Sequence, residues 1–125
     1  MSELSMFVGT AVQQGGGGQR IEDIQKKVIV RTQGKFPPNT SVDINTPGPG
    51  WIAEGASLSF ASTQVFLDYA QVYRNGQLIC AADFAGPLAA DVYVSVIGPI
   101  ILFYFDYHIA TNDVITVWKY SKAIS

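Results

Sequence analysis

The sequence predicts an all-β domain, an antiparallel sandwich or barrel-like unit carrying an extended N-terminal arm. Three observations carry that expectation. From residue 56 onward, short runs rich in Val, Ile, Tyr and Phe recur between turn signals at Gly86-Pro87, Gly98-Pro99 and Thr111-Asn112-Asp113, which is the spacing of a many-stranded β-domain. The stretch Val72-Tyr73-Arg74-Asn75-Gly76-Gln77-Leu78-Ile79-Cys80 sets Asn-Gly between two strand-like runs. That pair best tolerates the two positive φ angles of a type I′ turn, so Asn75 and Gly76 are assigned to the tip of a hairpin. Gly15, Gly16, Gly17 and Gly18 are consecutive, giving the backbone wide freedom and no side chain to pack.

Taken in order, residues 1–20 form the glycine-rich arm and residues 21–125 a single β-domain, loop-rich over 21–55 and strand-rich over 56–125. In the arm, Met6, Phe7 and Val8 are the apolar residues expected to contact a neighbour, with Gly15 to Gly18 as the joint. The glycines do not make a phosphate cradle, because neither the following Lys-Ser/Thr nor a preceding strand is present. Ile21, Ile24 and Val28 recur at helical spacing while Val28-Ile29-Val30 is β-branched, so a helix running into a strand and one long strand are both open. Pro37, Pro38, Pro47 and Pro49 then prevent any long element, leaving a short extended piece at Ser41 to Ile44 and an anchor at Trp51.

Ser57 to Phe60 alternates, and Gln64 to Arg74 with Gln77 to Cys80 reads as the hairpin strands or their neighbours. Asp91 to Ile97, Ile100 to Ile109 and Asp113 to Ser121 complete the strand series. In the last of these, Val114, Thr116, Trp118 and Tyr120 share one face and Ile115, Val117 and Lys119 the other. Both faces are largely apolar, so cover on both sides is expected. The unbroken apolar run Ile100 to Phe105 is likewise assigned to a central strand or a subunit contact.

Bulk composition points the same way. With 125 residues and 48% hydrophobic content, the chain suits one domain with a buried core. Charged residues make up only 14%, against about 25% in an ordinary soluble domain. So little polar surface implies that partners cover part of the apolar surface, as in a homo-oligomer of three or more chains. A net charge of −2 and scattered basic residues argue against nucleic-acid binding through phosphate neutralisation. No secretion signal is read at the N-terminus, and the longest apolar run, broken by Gly98-Pro99, is too short to span a bilayer, so no membrane partner is expected.

Residues suited to chemistry are few. His108 is the single histidine, and on a strand it would share a face with Asp106. The pair invites a hydrolytic reading, but no Gly-x-Ser-x-Gly elbow accompanies it, and a strand-end histidine is the simpler assignment. Cys80, the single cysteine, excludes an internal disulfide and reads as a small buried hydrophobe on a strand. Neither metal-ligand spacing nor a calcium-loop pattern occurs, so no cofactor or metal is expected. The rings of Trp51, Tyr69, Tyr73, Tyr93, Tyr104, Tyr107, Trp118 and Tyr120 are candidates for a glycan-stacking face, with core or interface packing as the plainer account.

The segment running from Val72-Tyr73-Arg74-Asn75-Gly76-Gln77-Leu78-Ile79, through Ala82-Asp83-Phe84, to Phe105-Asp106-Tyr107-His108-Ile109-Ala110-Thr111-Asn112-Asp113-Val114-Ile115-Thr116-Val117-Trp118-Lys119-Tyr120 resembles a small β-domain of tailed-bacteriophage virion proteins. Such domains occur in tail fibre, baseplate, neck and capsid-surface accessory proteins. The matching positions are Tyr73, Asn75, Gly76, Leu78, Asp83, Phe84, Ala110, Asp113, Val114, Ile115, Val117 and Tyr120. The likeness covers roughly the last 55 residues and is interrupted by the insert Ala85 to Pro99. It implies a structural virion component without catalytic activity, made in the host cytoplasm and partnered by itself and by other virion proteins. A carbohydrate-binding sandwich serving host adsorption is the alternative.

Overall fold

A computed structural model describes residues 24–86 and 89–121. Through them run the strands β1 (Gln25–Arg31), β2 (Ser41–Asp43) and β3 (Trp51–Gly55), the helix α1 (Thr63–Tyr69), and then β4 (Ala70–Arg74), β5 (Gln77–Ile79), β6 (Ala81–Asp83), β7 (Val92–Ile97), β8 (Ile100–Phe105) and β9 (Val114–Lys119). They make two sheets packed on each other, one ordered β3-β1-β9-β4-β5 and the other β2-β8-β7-β6. The all-β sandwich expected from the strand spacing is the observed architecture.

Alternation along each strand builds the core. Ile29 of β1, Val72 of β4, and Ile115 and Val117 of β9 face inward from the first sheet. Val42, Val92, Val94, Ile101, Phe103 and Phe105 face them from the second, all buried. Lys27, two residues before Ile29, is also buried. The β8 run is a central strand, flanked by β2 and β7. Edge-to-face packing links Phe60 to Phe66 at 4.9 Å, Phe66 to Phe103 at 5.7 Å and Phe103 to Phe105 at 5.9 Å between centroids, distances at which ring quadrupoles attract.

The two readings left open for residues 21–31 resolve to strand over Gln25–Arg31, between β3 and β9. The piece expected at Ser41 to Ile44 is β2, and the Ile44 N–H continues the pairing by donating to Ile101 O at 3.1 Å. Trp51 is buried, with its ring edge-on to Phe36 at 5.1 Å. The Asn75-Gly76 tip has φ of 50° and 85°, as a type I′ turn requires, and pairs Arg74 with Gln77.

Several expectations are corrected. Gln64 to Tyr69 is not strand but the body of α1. The Ser62 side chain caps it, accepting from the Val65 N–H at 3.2 Å, and Gln64 donates to Asp68 one turn on at 3.0 Å. The cap, together with burial of Phe66, outweighs the β propensity of Val65, Phe66 and Tyr69. Ser57 to Phe60 has no strand partner, although Leu58 and Phe60 are buried. Cys80 is exposed rather than buried. It sits at the corner where the chain leaves β5 in one sheet for β6 in the other, pinned through its N–H to Asp91 Oδ2 at 2.9 Å and through its carbonyl to the Val92 N–H at 3.1 Å. The second sheet is also mixed, because β6 runs parallel to β7.

Candidate functional site

The outer face of the second sheet is built by the residues that alternate with the buried set. Ile100, Leu102 and Tyr104 of β8 lie opposite Ile97, Ser95 and Tyr93 of β7, and β2 adds Asp43 beside Leu102 and Ser41 beside Tyr104. Just past β6, the Phe84 ring stacks on Tyr104, with centroids 4.2 Å apart and planes 29° from parallel. Phe84 is 54% exposed, Ile97 62% and Ile100 43%. Asp43 is the one charged side chain on this face among those paired residues. Ile97 and Ile100 are cross-strand partners, so two large apolar side chains stand in water side by side at this end of the face.

At one end of this face the β7–β8 hairpin turns through Gly98 and Pro99. Gly98 takes φ of 60° at the first central position, the requirement of a type II′ turn. Asn45 ties this tip to residues 57–59. Its Oδ1 accepts from the Leu58 N–H at 2.9 Å, while its Nδ2 donates to Leu58 O at 2.7 Å and to Pro99 O at 3.2 Å. Between these segments opens a groove of about 480 Å³, walled by Asp43 and Asn45, by Leu58 and Ser59, and by Pro99 and Ile100. Lys119 Nζ donates to Ser59 O at 2.7 Å, and Lys119 pairs with Gln25, the first residue of β1. The groove therefore lies beside the point where the N-terminal segment joins the sandwich.

A second cluster holds the Asn75-Gly76 hairpin against the turn before β9. Asp113 Oδ2 accepts from Arg74 Nη2 at 2.6 Å and from the Ala110 N–H at 2.8 Å, and Oδ1 accepts from Asn75 Nδ2 at 3.0 Å. Asn75 Oδ1 in turn accepts from the Val114 N–H at 2.9 Å. The Arg74 guanidinium lies over the Tyr107 ring, 4.7 Å from its centroid, within cation–π range. Burial pushes the Asp113 carboxyl up, but the hydrogen bonds from Asn75, Arg74 and the Ala110 N–H outweigh it and hold the group below the ordinary aspartate range. Burial likewise opposes the charge on Arg74, and Asp113 and Tyr107 more than offset it, so its pKa is raised. A groove of about 440 Å³ adjoins this cluster, bounded by Arg74, Leu78, Asp91 and Tyr107. Every strong polar group of the cluster is engaged with another, which makes it a structural lock.

Of the residues singled out in the sequence, Met6, Phe7, Val8 and Gly15 to Gly18 lie outside the described residues. Asp106 and His108 do not form the strand-face pair: β8 ends at Phe105, Asp106 is exposed in the following bend and His108 is exposed just past it, and His108 enters through its carbonyl, which accepts from Arg74 Nη2 at 3.4 Å. Among the described residues no group of three or more His, Cys, Asp or Glu is placed to hold a metal, and no helix is long and apolar enough to cross a membrane. The eight candidate rings do not gather into one platform. Trp51 is buried, Tyr73 and Tyr120 both hydrogen-bond Gln71, Tyr107 lies under Arg74, and the half-buried Tyr104 alone of them stacks on an exposed ring, that of Phe84.

Sequence reasoning missed Phe84, Ile97 and Asn45 as parts of a surface. The unbroken run at 100–105 was a signal for Leu102 and Tyr104, but nothing local shows that Phe84 reaches Tyr104 across β7. No protein-family model, curated protein or solved structure matches the chain.

Proposed function

We propose that this chain is a structural component of a tailed-bacteriophage virion, in the tail, baseplate or neck or on the capsid surface, and that it assembles with copies of itself and with other virion proteins. The observation that carries the reading is the apolar outer face of the second sheet, where Phe84, Ile97 and Ile100 stand in water beside Leu102 and Tyr104. Removing that surface from water is the driving force for association, at about 25 cal/mol per Å² of apolar area. The resemblance of residues 72–120 to virion β-domains supplies the setting. The hairpin is scaffold: its lock to Asp113 keeps the register that aims one sheet face at the core.

Light scattering on the purified full chain tests the reading, alongside a chain beginning at Ile21. Trimers or larger species are expected for the full chain, with weaker association after removal of residues 1–20. Monomers in both samples at high concentration would overturn it.

A second reading, a carbohydrate-binding module serving host adsorption, is favoured by the stack of the exposed Phe84 ring on the half-buried Tyr104. It requires a glycan signal on an array that Phe84→Ala abolishes.

A further inference from the structure

We propose that the groove between Asn45, Leu58 and Pro99-Ile100 is the receiving site for Met6-Phe7-Val8 of a second copy of this chain. The proposal rests on the reading of the chain as a self-assembling protein and names the place where its arm docks.

Four observations carry it. The groove offers apolar surface on Pro99 and Ile100, with Ile97 exposed across the same turn, and Met6-Phe7-Val8 is an apolar triplet. Its walls also present the exposed polar residues Thr46, Ser57 and Ser59, able to meet the backbone of an extended segment, as peptide-binding clefts do.

Reach is sufficient. Phe7 precedes Gln25 by eighteen residues, which extend over at most roughly 60 Å. A domain of this size has a radius of gyration of only about 13 Å, so an arm rooted at β1 of one copy reaches the tip of its neighbour.

Area argues for the arm as well as the sheet face. Strands of at most six residues in a four-stranded sheet, at about 3.3 Å per residue and about 4.8 Å between strands, bound the flat face at roughly 400 Å². A stable interface takes about 800 Å² from each partner. Contact through the sheet face alone falls short, and an arm laid into the adjoining groove supplies the deficit.

Continuity favours a second copy over the chain's own arm. Ile100 belongs both to the exposed face and to the groove wall, so a copy covering the face already stands beside the groove.

Cross-linking of full-length chains tests the site. In a Cys80→Ser background, one chain carries Phe7→Cys and another Ile100→Cys, and the two are co-expressed and mildly oxidised. The expected product is a disulfide-linked pair of twice the chain mass, absent when either new cysteine is missing. A single chain carrying both substitutions that closes internally at monomer mass would overturn the proposal in favour of the chain's own arm. No cross-link in a sample that light scattering finds oligomeric would overturn the site while leaving the assembly reading intact. Monomers throughout would overturn both.

Independently, Ile100→Asp in the full chain is expected to weaken self-association at least tenfold with an unchanged circular dichroism spectrum. Unchanged association in that folded variant would also refute the site.

Discussion

Asp113 ties three parts of the sandwich together, because one carboxylate joins the β4–β5 hairpin, the turn before β9 and the Arg74 guanidinium. Its folded pKa is depressed, so its contribution is complete above the unfolded value near 3.9 and is lost as pH falls through the lower folded value. Wild-type stability should therefore drop more steeply than that of Asp113→Asn when denaturation is followed from about pH 4 downward. At neutral pH, Asp113→Ala should cost about 2 kcal/mol, since it strands the partly buried guanidinium donors of Arg74 and removes the bond from the exposed Asn75 amide.

Asn75 separates two effects at a single position. Asn75→Gly keeps the positive φ and loses only the side-chain bonds, about 1 kcal/mol, whereas Asn75→Ala adds a further 1–2 kcal/mol or so for a left-handed conformation with a Cβ. Urea midpoints of the two variants measure that difference directly. Asn75→Asp should be worse than Asn75→Gly, because it sets a second carboxylate against Asp113 Oδ1.

Among the elements, α1 is the one whose identity was decided by contacts beyond its own residues. Seven residues are too few for a helix to persist alone; the Ser62 cap and the burial of Phe66 between Phe60 and Phe103 hold it. Ser62→Ala should cost about 1 kcal/mol and Phe66→Ala about 3–5 kcal/mol, a difference resolved by thermal or urea denaturation. The end of β3 is equally constrained. Gly55 has φ of 98°, and a Cβ there would collide with the Lys26 carbonyl, whose oxygen accepts from the Ala56 N–H at 3.0 Å. Gly55→Ala should lower stability by about 2 kcal/mol or more. Gly76→Ala meets no neighbour and should cost only the conformational part. Strand β9 bears on both sides of its sheet. Ile115 and Val117 are buried in the core, while Val114, Thr116 and Trp118 are half-buried on the outer face, with Lys26 Nζ 5.1 Å from the Trp118 ring centroid. The two-sided apolar pattern of this strand thus has one side accounted for within the sandwich and the other only in part.

For the molecule as a whole, a composition poor in charge has a visible outlet in the outer face of the second sheet. Concentration-dependent association is the expected consequence, reversed by a charge at Ile97 or Ile100, and sedimentation of the full chain across a hundredfold concentration range measures it. If Ile97→Asp and Ile100→Asp both sediment as the unsubstituted protein does, the face plays no part in assembly.

The sequence by itself determined the features set by neighbours along the chain. Asn75-Gly76 dictates a type I′ turn because those two residues best tolerate positive φ. The two-residue period of a strand divides β9 into a Val114, Thr116, Trp118 face and an Ile115, Val117, Lys119 face without deciding which of the two meets the core. For the apolar run of β8 the sequence left a central strand and a subunit contact both open, and the sheet order makes β8 central. Only the tertiary structure decided what depends on partners distant in sequence: that Gln64 to Tyr69 is helical, because Phe60 and Phe103 bury Phe66; that Cys80 is exposed, because the chain changes sheets there; and that Asn45, Leu58, Pro99 and Ile100 enclose a groove. Those outcomes are set by burial and hydrogen bonds between segments tens of residues apart, as in the bond from Asn45 Nδ2 to Pro99 O. Local propensity differences of a few tenths of a kcal/mol per residue are smaller than the roughly 3–5 kcal/mol at stake in one buried phenylalanine.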